Sequence, residues 1–243
     1  MNTVIAQTKN LKSFVGAIGS LKTRAPGTPQ IVAGIGPVGT GKTTALAWTV
    51  NQVDGFYIRA WPTWTPTSML GAIAEDLGCR AGGRTAPMLK EIIAELTARP
   101  MPLFIDEADC IADKLPLLEL LRGLHDVGNV PLILMGTENF ARNLSRHEQI
   151  TSRVAEWVRF LPIDLSDARV VADALVEVAI TDDLLAEIHR ASVGSIRSFV
   201  MALARVETWA RKQGLQRVDA PLWAGRELLP SPVARPRKLN RAA

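Results

Sequence analysis

Cysteine is scarce: Cys79 and Cys110 are the only two in 243 residues. That is too few, and too isolated, for a disulfide framework or a zinc site, so a reducing cytoplasm is the expected compartment. Long apolar runs are missing too. None approaches the roughly 18–20 residues of a membrane span, so no membrane partner is expected. The opening Met1-Asn2-Thr3-Val4-Ile5-Ala6 has neither the basic head nor the apolar core of a signal peptide. No internal repeat is found.

Acid is absent from the last stretch. Residues 230–243 carry Arg235, Arg237, Lys238 and Arg241, and these four account for the whole formal net charge of +4. The remainder is neutral, so a nucleic-acid surface would have to be a local patch. This basic, Pro-rich tail is expected to be disordered. With 47% hydrophobic and 21% charged residues, the chain has room for one large α/β domain and a small companion.

What the chain does contain is Gly36-Pro37-Val38-Gly39-Thr40-Gly41-Lys42-Thr43, the pattern of a phosphate-binding P-loop. Glycines let successive backbone N–H groups close on a polyanion where a Cβ would block the approach. Lys42 suits the β/γ-phosphates as a point charge, and the Thr43 hydroxyl suits a Mg²⁺ shell. Gln30 to Ala33 reads as a buried strand before the loop. Thr44 to Trp48 reads as the start of a helix, whose N-terminal dipole favours the phosphates.

Residues 1–29 read as a helical arm, with a weakly amphipathic helix Leu11 to Leu21 expected to pack on the core. Residues 30–164 read as the α/β core. Apolar strands are expected at Gly55–Ala60, Pro102–Glu107, Val130–Met135 and, closing the sheet, Arg159–Ile163. Between them fall helices Met69–Leu77, capped by Thr67 or Ser68 and stopped by Gly78, then Pro87–Thr97 and Leu115–Leu124. Cys79 to Thr85 reads as a flexible basic turn. Such alternation predicts a parallel sheet covered on both faces. Residues 165–229 read as helices only: Asp167–Val178 capped by Ser166, Asp182–Ala191 capped by Thr181, Ile196–Gln213 capped by Ser195, and a last helix from an Asp219 cap through Leu229.

Asp106-Glu107 ends an apolar strand downstream of a P-loop. There Asp106 is expected to hold Mg²⁺ and Glu107 to deprotonate the attacking water. An adjacent acid pair favours hydrolysis over a small-molecule kinase, which must exclude water.

At this point the chain resembles the AAA+ ATPases, through GPVGTGKTT, LFIDEAD and LILMGTEN in that order. The resemblance implies a P-loop core with a small all-helical lid, ATP and Mg²⁺ as ligands, and contacts to the nucleotide from Gly36 through Thr44. It makes Thr137, or failing that Asn139, the sensor of the γ-phosphate. Arg153, with Arg146 as alternate, stands where an arginine finger completes a neighbouring subunit's site, and Arg197 in Gly194-Ser195-Ile196-Arg197 resembles a second sensor. Guanidinium forks suit phosphate oxygens in both roles.

Within that class, residues 30–215 look most like the transposition-regulator ATPases typified by the phage Mu B protein. This implies self-assembly into rings or filaments on double-stranded DNA, a transposase partner, and a cytoplasmic location (a bacterial host's, if phage-encoded). Arg80, Arg84 and Lys90, with Arg59 and the Trp61/Trp64 loop less firmly, are the implied phosphate contacts, indifferent to sequence and sensitive to salt. Helicase loaders or replication initiators are the DNA-linked alternative. A P-loop ATPase of a secretion-type protein machine, without a DNA role, is the alternative of another class.

Overall fold

The computed structural model describes residues 2, 4–21, 23–25, 27–80 and 82–230. The tail beyond 230, with its expected disorder, and Ala81 of the basic turn lie outside the described residues. The chain divides into two units: residues 7–162, and a smaller unit formed by residues 1–6 with those from Ile163 onward.

In the larger unit the elements run α1 (Lys9–Leu21), β1 (Ile31–Ile35), α2 (Lys42–Val53), β2 (Phe56–Arg59), α3 (Pro66–Leu77), α4 (Thr85–Ala98) and β3 (Leu103–Asp106). A 3-10 turn (Ala108–Cys110) follows, then α5 (Leu115–Gly128), β4 (Leu132–Gly136), α6 (Glu138–Leu144), α7 (Glu148–Thr151) and β5 (Val154–Arg159). The strands form one sheet in the order β2-β3-β4-β1-β5, every pair parallel. Strands β1, β3 and β4 are buried at every position, the signature of a parallel sheet covered on both faces. Ile31, Ala33, Leu103, Ile105, Leu132 and Leu134 join α3, α4 and α5 in one apolar cluster. Val32, Phe104, Ile133 and Met135, on the alternate positions, are equally buried. Helix α1 packs on β5 and β1, with Phe14 against Phe160 at a ring separation of 5.6 Å.

Several local expectations are corrected. The closing strand is β5, not Arg159–Ile163. Val154–Arg159 is an edge strand, half exposed and interrupted by charge, so it lacks the continuous apolar run that marks an inner one, and Pro162 has no N–H to give a ladder. Helix α3 is capped by Thr65, not Thr67 or Ser68: Thr65 and Ser68 form a reciprocal capping box, with Pro66 at the first helical position where its missing N–H costs nothing. The short helices α6 and α7 were not expected at all.

The smaller unit holds α8 (Leu165–Leu175), β6 (Ala179–Ile180), α9 (Asp182–Ser192), α10 (Ile196–Lys212), β7 (Arg217–Val218) and α11 (Ala220–Trp223). It is therefore not purely helical, since β6 and β7 pair in parallel. Its cap at α8 is Asp164, which accepts from Asp167 N, while Ser166 donates to Asp164. Thr181 precedes α9, but its hydroxyl bonds Val218 O instead of capping. Ser195 caps α10 as expected, and the helix capped by Asp219 ends at Trp223 rather than Leu229. Ile188, Phe199, Leu203 and Val206 centre its core.

Candidate nucleotide site

Because the strands are parallel, the carboxyl ends of β1 to β4 open on one edge of the sheet. Strand β4 lies between β1 and β3, so the residues after β4 stand between the phosphate loop and the acid pair.

The loop from Gly36 to Thr43 leaves β1 and enters α2. Gly36 is fixed by packing: a Cβ there would lie 2.3 Å from Phe160 O. Gly39 and Gly41 take φ of 85° and 90°, a region side chains disfavour. Helix α2 begins without a side-chain cap, so its first N–H groups remain for an anion. Lys42 Nζ donates to Gly36 O at 2.7 Å and Pro37 O at 2.8 Å, which holds the ammonium along the loop. The Thr40 hydroxyl donates to Pro37 O at 2.9 Å. Thr43 and Thr44 are exposed, as are Pro37 and Val38. Buried Asn10 of α1 ties the loop to the chain after β5: its Nδ2 reaches Leu161 O at 2.7 Å and Thr40 O at 3.5 Å, and its Oδ1 accepts from Leu161 N.

At the end of β3, Asp106 is buried and Glu107 half-buried. Asp106 Oδ1 accepts from Glu107 N at 2.9 Å, and Tyr57 donates its hydroxyl to Oδ2 at 3.4 Å. Burial, and next the Asp106 charge, push the Tyr57 hydroxyl's pKa up. Glu107 sits at φ 55°, an uncommon conformation for a side-chain-bearing residue. Its carboxylate pairs with Arg59 at 3.2 Å. Among the described residues no group of three His, Cys, Asp or Glu is placed to hold a metal by itself. Mg²⁺ is commonly held by one or two carboxylates, with phosphate oxygens and water completing its shell, so Asp106 and Thr43 are the residues that would hold it here.

Thr137 and Asn139 follow β4 directly. Asp109, in the 3-10 turn after β3, accepts from Thr137 N at 2.8 Å, from the Thr137 hydroxyl at 2.5 Å and from Phe140 N at 3.0 Å. Asn139 is exposed, and its Oδ1 accepts from Arg142.

Among the described residues the arginines separate into those with an ion-pair partner and those without. Arg153 grips Asp126 with two bonds, 2.6 and 2.7 Å, and also donates to Gln149 O. The Arg153 hydrogen bond holds the Asp126 carboxyl below its usual pKa. Arg59, expected among the DNA contacts, is taken up by Glu107 and lies 5.9 Å from the Trp61 ring centre. Arg146, Arg80, Arg84 and Lys90 are exposed, and among the described residues their charged heads have no ion-pair partner. Arg80 and Arg84 lie in the turn between α3 and α4, and Lys90 lies within α4. Trp64 packs on the core, whereas Trp61 is exposed. In the smaller unit Arg197 is exposed on the first turn of α10.

Sequence reasoning missed Tyr57, Asn10 and Asp109. The only available signal was for Asp109, the final acid of IDEAD.

Residues 24–144 match the family described as AAA domain. No curated protein matches the chain. Among solved structures it is similar to the Orc1 protein of Aeropyrum pernix in complex with DNA, at 18% identity and TM-score 0.64, covering 89% of this chain and 63% of that one. Cdc6p from Pyrobaculum aerophilum gives 19% and 0.67, covering 90% and 66%. The RuvB Holliday junction branch migration motor of Thermotoga maritima gives 19% and 0.60, covering 89% and 67%. At such identities the likeness is one of fold, and the chain spans about two thirds of each structure's length.

Proposed function

We propose that this chain, whose core at residues 24–144 belongs to the AAA-domain P-loop ATPases, hydrolyses ATP and uses the nucleotide to control an assembly on double-stranded DNA. The observation that carries the reading is one sheet edge bearing the uncapped loop–helix junction of Lys42 and Thr43, the Asp106–Glu107 pair and the Thr137–Asn139 turn. Among the neighbours in fold, an Orc2 protein is described in ADPNP–ADP complexes, in keeping with a nucleotide at such an edge.

Each residue has a task. Lys42 and the α2 amides neutralise the phosphates; Thr43 and Asp106 hold the metal. Magnesium, when bound, offsets the charge that develops on the phosphoryl oxygens. Glu107, freed from Arg59, takes the proton of the attacking water. Arg146, whose guanidinium has no ion-pair partner among the described residues, suits a finger acting on a neighbouring subunit, while Arg153 is committed to Asp126. Arg197 keeps the sensor role that the resemblance assigns to it.

The DNA assignment draws on the cations Arg80, Arg84 and Lys90, without an ion-pair partner among the described residues, and on neighbours described as bound to DNA or as a Holliday junction motor. Between the finer readings, the likeness in fold favours an initiator- or loader-type ATPase. Transposition control, with a transposase partner, rests on motif order alone. The deciding test is ATP turnover with and without a random-sequence duplex, beside electron microscopy of the same mixtures. Duplex-stimulated turnover and nucleotide-dependent rings or filaments are expected. Turnover indifferent to DNA, with no duplex binding at low salt, removes DNA and leaves a protein machine as the partner.

A further inference from the structure

Asp109 has no part in the chemistry described above, yet it accepts three hydrogen bonds from a turn 28 residues further along the chain. Those bonds take up both donors of Thr137 and the N–H of Phe140. A threonine hydroxyl has one proton to donate. That of Thr137 goes to Asp109 Oδ1, and the same hydroxyl oxygen accepts from Asn139 N at 3.2 Å. The backbone N–H groups of Thr137 and Phe140 go to the same carboxylate. Thr137 thus has no donor left for a phosphate. Asn139 does: Arg142 can only donate, which fixes the amide oxygen toward it, and the exposed Nδ2 has no partner among the described residues.

The structure assigns Asp109 as the positioning residue of this junction. By holding Thr137 and Phe140 it presents the Asn139 amide as the group that reads the terminal phosphate of a bound nucleoside triphosphate. This rests on the nucleotide reading of the site. These bonds also tie the turn after β3 to the end of β4. A carboxylate accepting from two amides and a hydroxyl is a strong anchor, because bonds to a charged group are worth roughly twice neutral ones.

The experiment compares the affinities of ATP and ADP, measured by calorimetry in the full chain carrying Glu107→Gln so that hydrolysis does not interfere. Asp109→Ala and Asn139→Ala are each expected to lower the ATP-to-ADP affinity ratio about tenfold, the scale of one lost hydrogen bond to a charged group, while ADP affinity stays within about twofold. Combined, they should lose little more than either alone, since one acts through the other. Thr137→Val should leave the ratio within about threefold. A purely structural cap predicts otherwise: a lower melting temperature, both affinities falling together and the ratio unchanged. That result overturns the assignment, as does full additivity of Asp109→Ala and Asn139→Ala. If Asp109→Ala does not fold, Asp109→Asn carries the same comparison, since it keeps an oxygen for the Thr137 hydroxyl but turns an NH₂ on a backbone N–H. Should the parent protein bind neither nucleotide, the nucleotide reading itself fails. Binding with an unmoved ratio removes Asp109 alone.

Discussion

Arg59 ends β2 and Glu107 follows the end of β3, and the two are joined by an ion pair of 3.2 Å across neighbouring parallel strands. The residue meant to accept a proton from water is thus held by a cation that lies beside exposed Trp61. Both partners are substantially exposed, so the pair is weak, worth about 0–1 kcal/mol. Arg59→Met should therefore raise ATP turnover without DNA by about two- to fivefold and leave ATP affinity unchanged. A steady-state assay decides it; a fall in turnover at unchanged affinity would mean that Arg59 helps hydrolysis.

Lys42→Ala and Glu107→Gln should separate binding from chemistry. The first removes the point charge on the phosphates, and calorimetry should show ATP binding lost. The second keeps binding, and single-turnover hydrolysis should slow by about 10²–10⁴-fold, the range for a positioned general base. Normal turnover of Glu107→Gln removes it from that role.

Arg153 and Arg146 should part in kind. Arg153→Ala breaks the two-bond pair with Asp126 and should cost about 1 kcal/mol, lowering the melting temperature by about 2–4 °C. The Asp126 pKa is depressed in the fold, so this stabilisation is complete above the unfolded carboxylate value near 4 and is lost as pH falls through the lower folded value. Melting curves of wild type and Arg153→Ala should therefore converge in acid. Arg146→Ala should fold normally yet lose turnover, and mixing it with Lys42→Ala subunits should restore activity, each supplying what the other lacks. Absence of rescue in the mixture argues against a finger at 146.

Arg84→Glu with Lys90→Glu should weaken duplex binding and lower the salt slope by roughly one for each phosphate that is no longer neutralised, with nucleotide affinity kept. Fluorescence anisotropy at several salt concentrations measures both. An unchanged slope moves the DNA surface elsewhere.

The contiguous parts of this site were legible in sequence because their chemistry is written locally: a glycine-rich run ending in Lys42-Thr43, and an apolar strand ending in Asp106-Glu107. Relations across the sheet were not. Arg59 meets Glu107, and Asp109 meets Thr137, only once β2, β3 and β4 lie side by side, and no spacing along the chain encodes that order. Strand β5 was misplaced because its partly exposed edge carries Glu156 and Arg159, while the apolar residues after it look more like a strand. At helix starts, two hydroxyl or acidic residues within a few positions compete for one capping role. The backbone settles this for Thr65 over Ser68 and for Asp164 over Ser166.

Tyr57 is the chain's one tyrosine, and its hydroxyl reaches Asp106. Biosynthetic fluorotyrosine would therefore place a single fluorine nucleus in this protein, beside the carboxylate assigned to the metal. One resonance, free of overlap, would then follow magnesium and nucleotide arriving at the sheet edge, without any label added at a foreign position.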